Sequence, residues 1–300
     1  VINVTEFPDD PSKILFADAT SNLEEADYVI LGVSYEGTAC HRKGTAEAPY
    51  TVREESYNFE TYRYRYEVDV ENVKIYDMGT QVPRDYPQLV TELRRSLVEI
   101  LNNDSFPIII GGEHSISPII VAELHKRFSE RPGNDLKVVS IDAHLDFRDS
   151  FLGDRNSHAC STRRIGDIVG YSSTLCVGVR SFERKEMAEA KDLGLKWLDS
   201  FSVRESGIET CIREIERFIG DCPVYLTVDM DGIDPAFAPG VGTPEPFGLT
   251  HWDVLSIIEA LSPSLVGLDI VEIYPPYDNG NTSALASKLI GDMIAVRERN

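Results

Sequence analysis

With 300 residues, 42% of them hydrophobic and 26% charged, the chain can bury a large core and is neither fibrous nor disordered in composition. Its 29 basic and 50 acidic side chains leave a net charge of −21 and a pI near 4.6. Such a surface repels nucleic acid and anionic membranes and attracts cations, whether metals or organic amines.

In chain order, the apolar pattern predicts strands at Tyr28–Val33 and Val73–Met78, then a helix over Tyr86–Leu101 with Leu89, Val90, Leu93, Leu97, Ile100 and Leu101 on one stripe. A strand at Pro107–Gly111, a helix at Pro118–Phe128 and strands at Lys137–Asp142, Thr174–Val179 and Leu195–Leu198 follow. Next come a helix at Glu209–Ile219, a strand at Val224–Asp229, a helix at Trp252–Leu261, a strand at Val266–Ile273 and a last helix near Ala284–Arg297. Several strands are unbroken Val/Ile/Leu runs, which suits a parallel sheet buried on both faces. Strands alternating with helices imply βαβ units with right-handed crossovers. No long Pro/Gly/Ser linker and no internal repeat interrupts the chain, so a single domain over 1–300 is expected.

The five cysteines (Cys40, Cys160, Cys176, Cys211 and Cys222) include no C-x-x-C pair, which favours reduced thiols over a disulfide framework or a zinc–cysteine site. Cys160 lies two residues from His158, but without an evident positive neighbourhood or third orienting group a Cys–His nucleophile is disfavoured. The stretch Val1–Asp10 shows no signal-peptide pattern, and the apolar run Phe106–Ile110 is far too short to span a bilayer. A soluble cytoplasmic protein is expected.

Three segments place Asp and His where parallel strands should end: Gly-Gly-Glu113-His114-Ser, Ile-Asp142-Ala-His144-Leu-Asp146 and Val-Asp229-Met-Asp231-Gly. A strand turns alternate side chains to one face, so Asp142, His144 and Asp146 share a side if the strand carries through, as do Asp229 and Asp231. Each segment has a plainer reading: Asp229-Met-Asp231-Gly-Ile-Asp234 could be a surface turn and misses the EF-hand spacing, Gly111-Gly112 could be only a strand exit, and His114 a structural histidine. Their joint placement at three strand ends outweighs those readings. The four carboxylates and two imidazoles form a hard, mixed O/N set, enough for two divalent ions and suited to Mn²⁺ or Mg²⁺, less often Fe, Co, Ni or Zn. Four positive charges would balance four aspartates that otherwise repel one another. Two ions about 3.5–4 Å apart can share a water and make hydroxide available at neutral pH, which points to metal-assisted hydrolysis.

These three segments, read as Gly-Gly-Glu-His114, Ser-Ile-Asp142-Ala-His144-Leu-Asp146 and Thr-Val-Asp229-Met-Asp231-Gly-Ile-Asp-Pro, resemble the signature segments of the ureohydrolases, the arginases, agmatinases and their relatives. Gly178-Val-Arg180-Ser181 and Gly267-Leu-Asp-Ile-Val-Glu272-Ile-Tyr-Pro-Pro also resemble family segments. Gly37-Thr, Arg42-Lys-Gly44, Ala48-Pro49 and Arg53 loosely resemble the N-terminal region of agmatinases. The resemblance implies a three-layer α/β/α arginase-like fold with a central, mostly parallel sheet of about eight strands, two Mn²⁺ per chain, and cleavage of a guanidinium to urea and an amine. It implies that one metal is held by His114, Asp142, Asp146 and Asp229, and the other by Asp142, His144, Asp229 and Asp231. Asp146 would also accept a hydrogen bond from the bridging hydroxide and help pass its proton to the leaving amine. Glu272 would pair with the guanidinium, a planar cation that a carboxylate meets with two bonds, and set its carbon for attack. His158, in Asn156-Ser-His158-Ala-Cys160, matches a histidine that ferries protons and would also meet the substrate. His41, His125 and His251 have no such context and are read as structural or surface residues. Relatives are commonly trimers or hexamers, which implies a homo-oligomer.

Arginine differs from agmatine by one α-carboxylate. Arginases use an Asn two residues after the third ligand of the Asp-x-His-x-Asp segment, and Arg148 stands there. The segments around Asn156, Glu245 and Glu272 look more like agmatinase, and an acidic protein would steer a dication inward. Arg148 would welcome a substrate carboxylate if it pointed into the pocket, as in 4-guanidinobutyrate or arginine. Turning outward, or pairing with Asp149 or Asp154, is the expectation, with Glu183 as a possible partner of the distal amine. Agmatine hydrolysis is the leading expectation, with another guanidino substrate second. A single-zinc deacetylase would lack the second metal's ligands, and an inactive binding homologue would have no use for all six.

Overall fold

The computed structural model describes residues 13–129 and 135–299. Val1–Asp10 lies outside the described residues. Among the described residues there are ten strands: β1 Tyr28–Val33, β2 Tyr62–Arg63, β3 Val68–Asp69, β4 Ile75–Gln81, β5 Phe106–Ile110, β6 Lys137–Ile141, β7 Thr174–Val179, β8 Lys196–Asp199, β9 Val224–Asp229 and β10 Leu265–Val271. Eight of them form one sheet in the order β4-β1-β5-β10-β9-β6-β7-β8, and all seven neighbouring pairs run parallel. β2 and β3 make a separate antiparallel pair. The helices are α1 Ala48–Ser56, α2 Tyr86–Asn102, α3 Ser117–Ser129, α4 Ser161–Val169, α5 Arg184–Asp192, α6 Ser200–Ser206, α7 Ile208–Ile219, α8 His251–Leu261 and α9 Asn281–Arg299.

The period-2 alternation of buried strands explains the layers. Leu31, Ile109, Val138 and Tyr225 face one side, against Leu89, Leu93 and Leu97 of α2 and Ile120 and Leu124 of α3. Their neighbours Ile30, Ile108, Val139 and Leu226 face the other, against Val52 of α1, Ile215 of α7, Ile258 of α8 and Ile290 and Ile294 of α9. The result is the expected α/β/α arrangement. Helix starts follow local chemistry. Asp85 accepts from the Gln88 amide ahead of α2, and Thr250 with Asp253 forms a reciprocal cap on α8.

The short polar elements escaped the sequence reading. α1 contains the fully buried Arg53, which breaks the apolar stripe. Its guanidinium meets Asp77 of β4 with two bonds of 2.7 and 2.8 Å and donates to the Pro49 and Gly79 carbonyls and to Thr80, so every donor is satisfied. One expectation needs correction. β6 ends at Ile141, so Asp142, His144 and Asp146 do not share a face through a continuing strand. Among the described residues no helix is long and apolar enough to cross a membrane.

Candidate metal centre and active site

The carboxyl ends of four adjacent central strands, β5, β10, β9 and β6, meet at one rim of the sheet, the usual place for ligands in open parallel sheets. β5 delivers His114 through Gly112, where an added Cβ would lie 2.1 Å from the Tyr35 carbonyl oxygen, so only glycine lets the two backbones approach this closely. β6 delivers Asp142, then a loop carries His144, bridged to Ser181, and Asp146. Asp146 reaches the site through a left-handed turn, φ 47°, instead of strand alternation. β9 ends on Asp229, and Asp231 follows in a single 3₁₀ turn.

All six side chains converge. Nδ1 of His114 lies 3.4 Å from Asp142 Oδ2, 3.2 Å from Asp146 Oδ2 and 3.4 Å from Asp229 Oδ2. Nδ1 of His144 lies 3.5 Å from Asp142 Oδ1 and 3.1 Å from Asp231 Oδ2. Two overlapping donor groups result, His114–Asp142–Asp146 and Asp142–His144–Asp231, with Asp142 common to both. One oxygen of each of three aspartates is tied to a backbone amide: Asp142 Oδ1 to His144, Asp229 Oδ1 to Asp231, and Asp231 Oδ1 to Ala143. Their second oxygens face the imidazoles. Asp142 Oδ2 and His114 Nδ1 are buried and have no hydrogen-bond partner, so the cage holds lone pairs aimed at a shared centre. Oxygen and imidazole donors in this arrangement fit divalent cations.

Neighbours to which the sequence reading gave no role in the site orient these donors. The Thr227 hydroxyl donates to Asp269, which also accepts from Ser117 and Tyr225. With its proton committed, Thr227 accepts from His114 Nε2 at 3.1 Å, which leaves the Nδ1 lone pair for the cage. Glu245 Oε1 lies 3.8 Å from His144 Nε2, and Arg180 bonds the Asp231, Gly232 and Glu245 carbonyls, pinning the loop that carries Glu245.

The cage lies in a cleft of about 310 Å³. Glu272, buried and in a left-handed backbone of φ 61°, accepts from the His114 amide at 2.7 Å and from the Tyr274 hydroxyl at 2.9 Å. An acid at a strand end with only a surface partner is thereby excluded. His158 also lines the cleft, with Phe151 edge-on to its ring. One expectation changes. Arg148 pairs with neither Asp149 nor Asp154: its Nη1 donates to Glu183 at 2.9 Å, it lies 5.0 Å from the Phe151 ring centroid, and it lines the cleft. Asp149 is already engaged by Arg155 and Arg164. Glu183, at the cleft rim, has one carboxylate oxygen taken by Arg148. His41 is exposed, as expected of a surface residue, and lines the cleft. Cys160 is buried away from the cleft with its thiol pushed up to about 11, chiefly by burial, which disfavours it as a nucleophile, whereas Cys40 lines the cleft with Sγ 3.7 Å from His158 Nε2.

Crowded acids and burial set the electrostatics. Burial, then the charge of Asp142, pushes Asp146 up to about 7, and burial followed by Asp231 and Asp142 raises Asp229 well above the usual carboxylate range. Burial opposes charge on His114 and His144, but the surrounding aspartates outweigh it and hold both well above the ordinary imidazole value. Burial also pushes Glu272 up to about 8, with Glu113 adding to the rise. A cage that retains protons on Asp146, Asp229 and both imidazoles is one in which divalent cations can replace them. His158 goes the other way, down to about 4, from burial and then the positive charge of His114 and His144.

The sequence profile of the arginase family matches residues 26–295. An agmatinase of Bacillus cereus is 33% identical over 291 residues, covering 93% of this chain and 95% of that protein. An N(1)-aminopropylagmatine ureohydrolase of Synechocystis is 31% identical over 305 residues, covering 95% of each. The crystal structure of the agmatine ureohydrolase of Thermoplasma volcanium superposes with a TM-score of 0.88 at 40% identity, covering 95% of this chain and 94% of that one. With its parallel eight-stranded sheet and paired His/Asp groups, the chain belongs to the arginase family of metallohydrolases acting on guanidino compounds.

Proposed function

We propose that this protein is an agmatinase, hydrolysing the guanidinium of agmatine to urea and putrescine with two Mn²⁺ ions. The observation that carries the reading is the pair of donor groups sharing Asp142 in a cleft that also contains Glu272. His114, Asp142, Asp146 and Asp229 would hold one ion, and Asp142, His144, Asp229 and Asp231 the other. Two divalent ions held there would supply Lewis acidity and lower the pKa of bound water to about 7.

The chain's own residues do the rest. Glu272 binds the guanidinium through charge-assisted bonds, oriented by the His114 amide and the Tyr274 hydroxyl. Asp146 accepts a proton inside the cage and helps pass it towards the leaving amine. His158 exchanges protons between the cleft and solvent. At the rim, the charge of Arg148 is met by Glu183, which leaves no unpaired guanidinium waiting for a substrate carboxylate. The net charge of −21 favours entry of a dication. The names of the Bacillus and Thermoplasma relatives support the same substrate.

The test is urea release by Mn-loaded protein from agmatine, N(1)-aminopropylagmatine, 4-guanidinobutyrate and arginine side by side, with metal content measured on the same sample. Two metal ions per chain and the highest kcat/KM for agmatine are expected. A preference for 4-guanidinobutyrate or arginine would mean that Arg148 leaves Glu183 to meet the substrate. A preference for the aminopropyl compound would place the Synechocystis protein's activity here instead.

A further inference from the structure

The loop after β1 carries a side chain that the reading of His158 as proton carrier does not account for. Thr38 Oγ1 lies 2.9 Å from Glu113 Oε1, 3.0 Å from His158 Nδ1 and 3.0 Å from the His158 amide nitrogen. Glu113 is fully buried and oriented by the Thr38 amide, 2.7 Å from Oε2, and by the Ser115 hydroxyl, 2.7 Å from Oε1. A hydroxyl has one proton to give. Thr38 gives it to Glu113, and its oxygen is left to accept. The His158 amide uses one lone pair, and the ring can use the other only by donating from Nδ1, a proton that Ser157 Oγ, 3.4 Å from the same nitrogen, can also accept.

We propose that Glu113, acting through the Thr38 hydroxyl, fixes His158 as the Nδ1–H tautomer, so that Nε2, next to Cys40 at the cleft, is the only atom of the ring that exchanges protons with substrate or solvent. Thr38 and Glu113 are positioning residues: neither lines the cleft. The balance is simple. When Nε2 takes up a proton, Nδ1 keeps its own, the imidazolium is held by the hydroxyl–carboxylate pair, and on release to the leaving amine the same neutral tautomer returns. No proton passes to Glu113. The arrangement is carboxylate–hydroxyl–imidazole, with the threonine interposed where a triad would put the acid directly on the ring. It also assigns Glu113 of the Gly-Gly-Glu-His segment a task separate from its neighbour His114, since its carboxylate bonds Thr38 and Ser115 and not the cage.

This inference rests on the catalytic reading of His158, and two measurements keep the two apart. Neutron diffraction from deuterated, Mn-loaded crystals should place deuterium on Nδ1 of His158 and between Thr38 Oγ1 and Glu113 Oε1. Deuterium on Nε2 alone overturns the proposal whatever the enzyme hydrolyses. For turnover, Thr38→Val should lower kcat about tenfold or more with KM and metal content unchanged, and Thr38→Ser should restore it, since positioned proton transfer contributes about 10²–10⁴-fold. Added to His158→Gln, Thr38→Val should cost nothing further, because both act through one proton path. A full additional loss in that double variant means that threonine acts elsewhere, and the proposal fails. If His158→Gln alone leaves kcat unchanged while deuterium sits on Nδ1, the catalytic reading fails and the tautomer assignment stands.

Discussion

Glu272→Gln isolates the contact on which substrate orientation rests. The change keeps the shape of the side chain. An amide oxygen can still accept from the His114 amide, 2.7 Å away in the native protein, and the amide nitrogen can donate to Tyr274, whose hydroxyl turns to accept. The fold and cage should therefore persist. What disappears is the negative charge that pairs with a bound guanidinium in a site that excludes water: Glu272 is 6% exposed. Losing one partner of a buried, hydrogen-bonded charge pair costs about 2–5 kcal/mol. If Glu272 meets the guanidinium in ground and transition states alike, kcat/KM for agmatine should fall by about 30- to 5,000-fold, with both KM and kcat affected. Urea release at several agmatine concentrations, with metal content on the same preparation, reads this directly. A kcat/KM within about threefold of the parent, metals retained, places the acid outside the substrate contact. A variant that loses its metals shows instead that Glu272 serves mainly to brace His114.

Asp142→Asn and Asp229→Asn should each abolish urea release and lower metal content, since each carboxylate is expected to touch both ions; substantial turnover with two metals bound refutes the shared-ligand assignment. Chelation should change how stability depends on pH. Asp146 and Glu272 are pushed up to about 7 and about 8, so these two groups bind more protons in the metal-free fold than in the unfolded chain. That contribution is complete below their ordinary carboxylate values and is lost as pH rises through about 7 and about 8. The melting temperature of chelated protein should fall between about pH 5 and about pH 9, and the gain on adding Mn²⁺ should widen over the same range. A chelated protein that grows more stable across that range contradicts the sign. Arg53→Met leaves Asp77 buried without its bidentate partner and should cost about 3–5 kcal/mol in urea unfolding. Arg53→Met with Asp77→Leu should recover part of this, and no recovery would mean that the bonds to Pro49, Gly79 and Thr80 dominate.

Periodicity found what burial on two faces enforces. β1, β7 and β9 begin and end where their apolar runs do, because every residue in each is buried. The six cage residues were legible because their types sit beside those runs, and the structure brings them together. The route was not legible for β6, because alternation says nothing about a chain that leaves the strand at Ile141 and turns left-handed at Asp146. Nor were the cleft walls. Thr38, Cys40 and His41 lie on a loop without period, and no local pattern signals that Arg148 would reach Glu183, 35 positions along the chain. Asp269 could have been found: an acid inside an otherwise apolar central strand requires buried partners, and Ser117, Tyr225 and Thr227 supply them.

The left-handed backbones at Asp146 and Glu272 show how the sheet sets the site in advance. Among the described residues seven non-glycine positions have positive φ, and only these two carry acids of the cage or its cleft. Such conformations cost about 1–3 kcal/mol each and persist only where surrounding bonds over-determine them. At Glu272 the determination is visible. Its amide donates to the Gly112 carbonyl at 2.9 Å while its carboxylate accepts from the His114 amide at 2.7 Å. The exits of β5 and β10 are thus laced together from both sides. At Asp146 the carbonyl accepts from the Arg163 amide, and the next residue, Phe147, donates to the buried Glu186 at 2.8 Å. Flexible loops would have to spend binding energy arranging carboxylates around a cation. Here packing and backbone bonds hold these two acids in position beforehand, so the energy of binding metal and substrate is free to favour reaction.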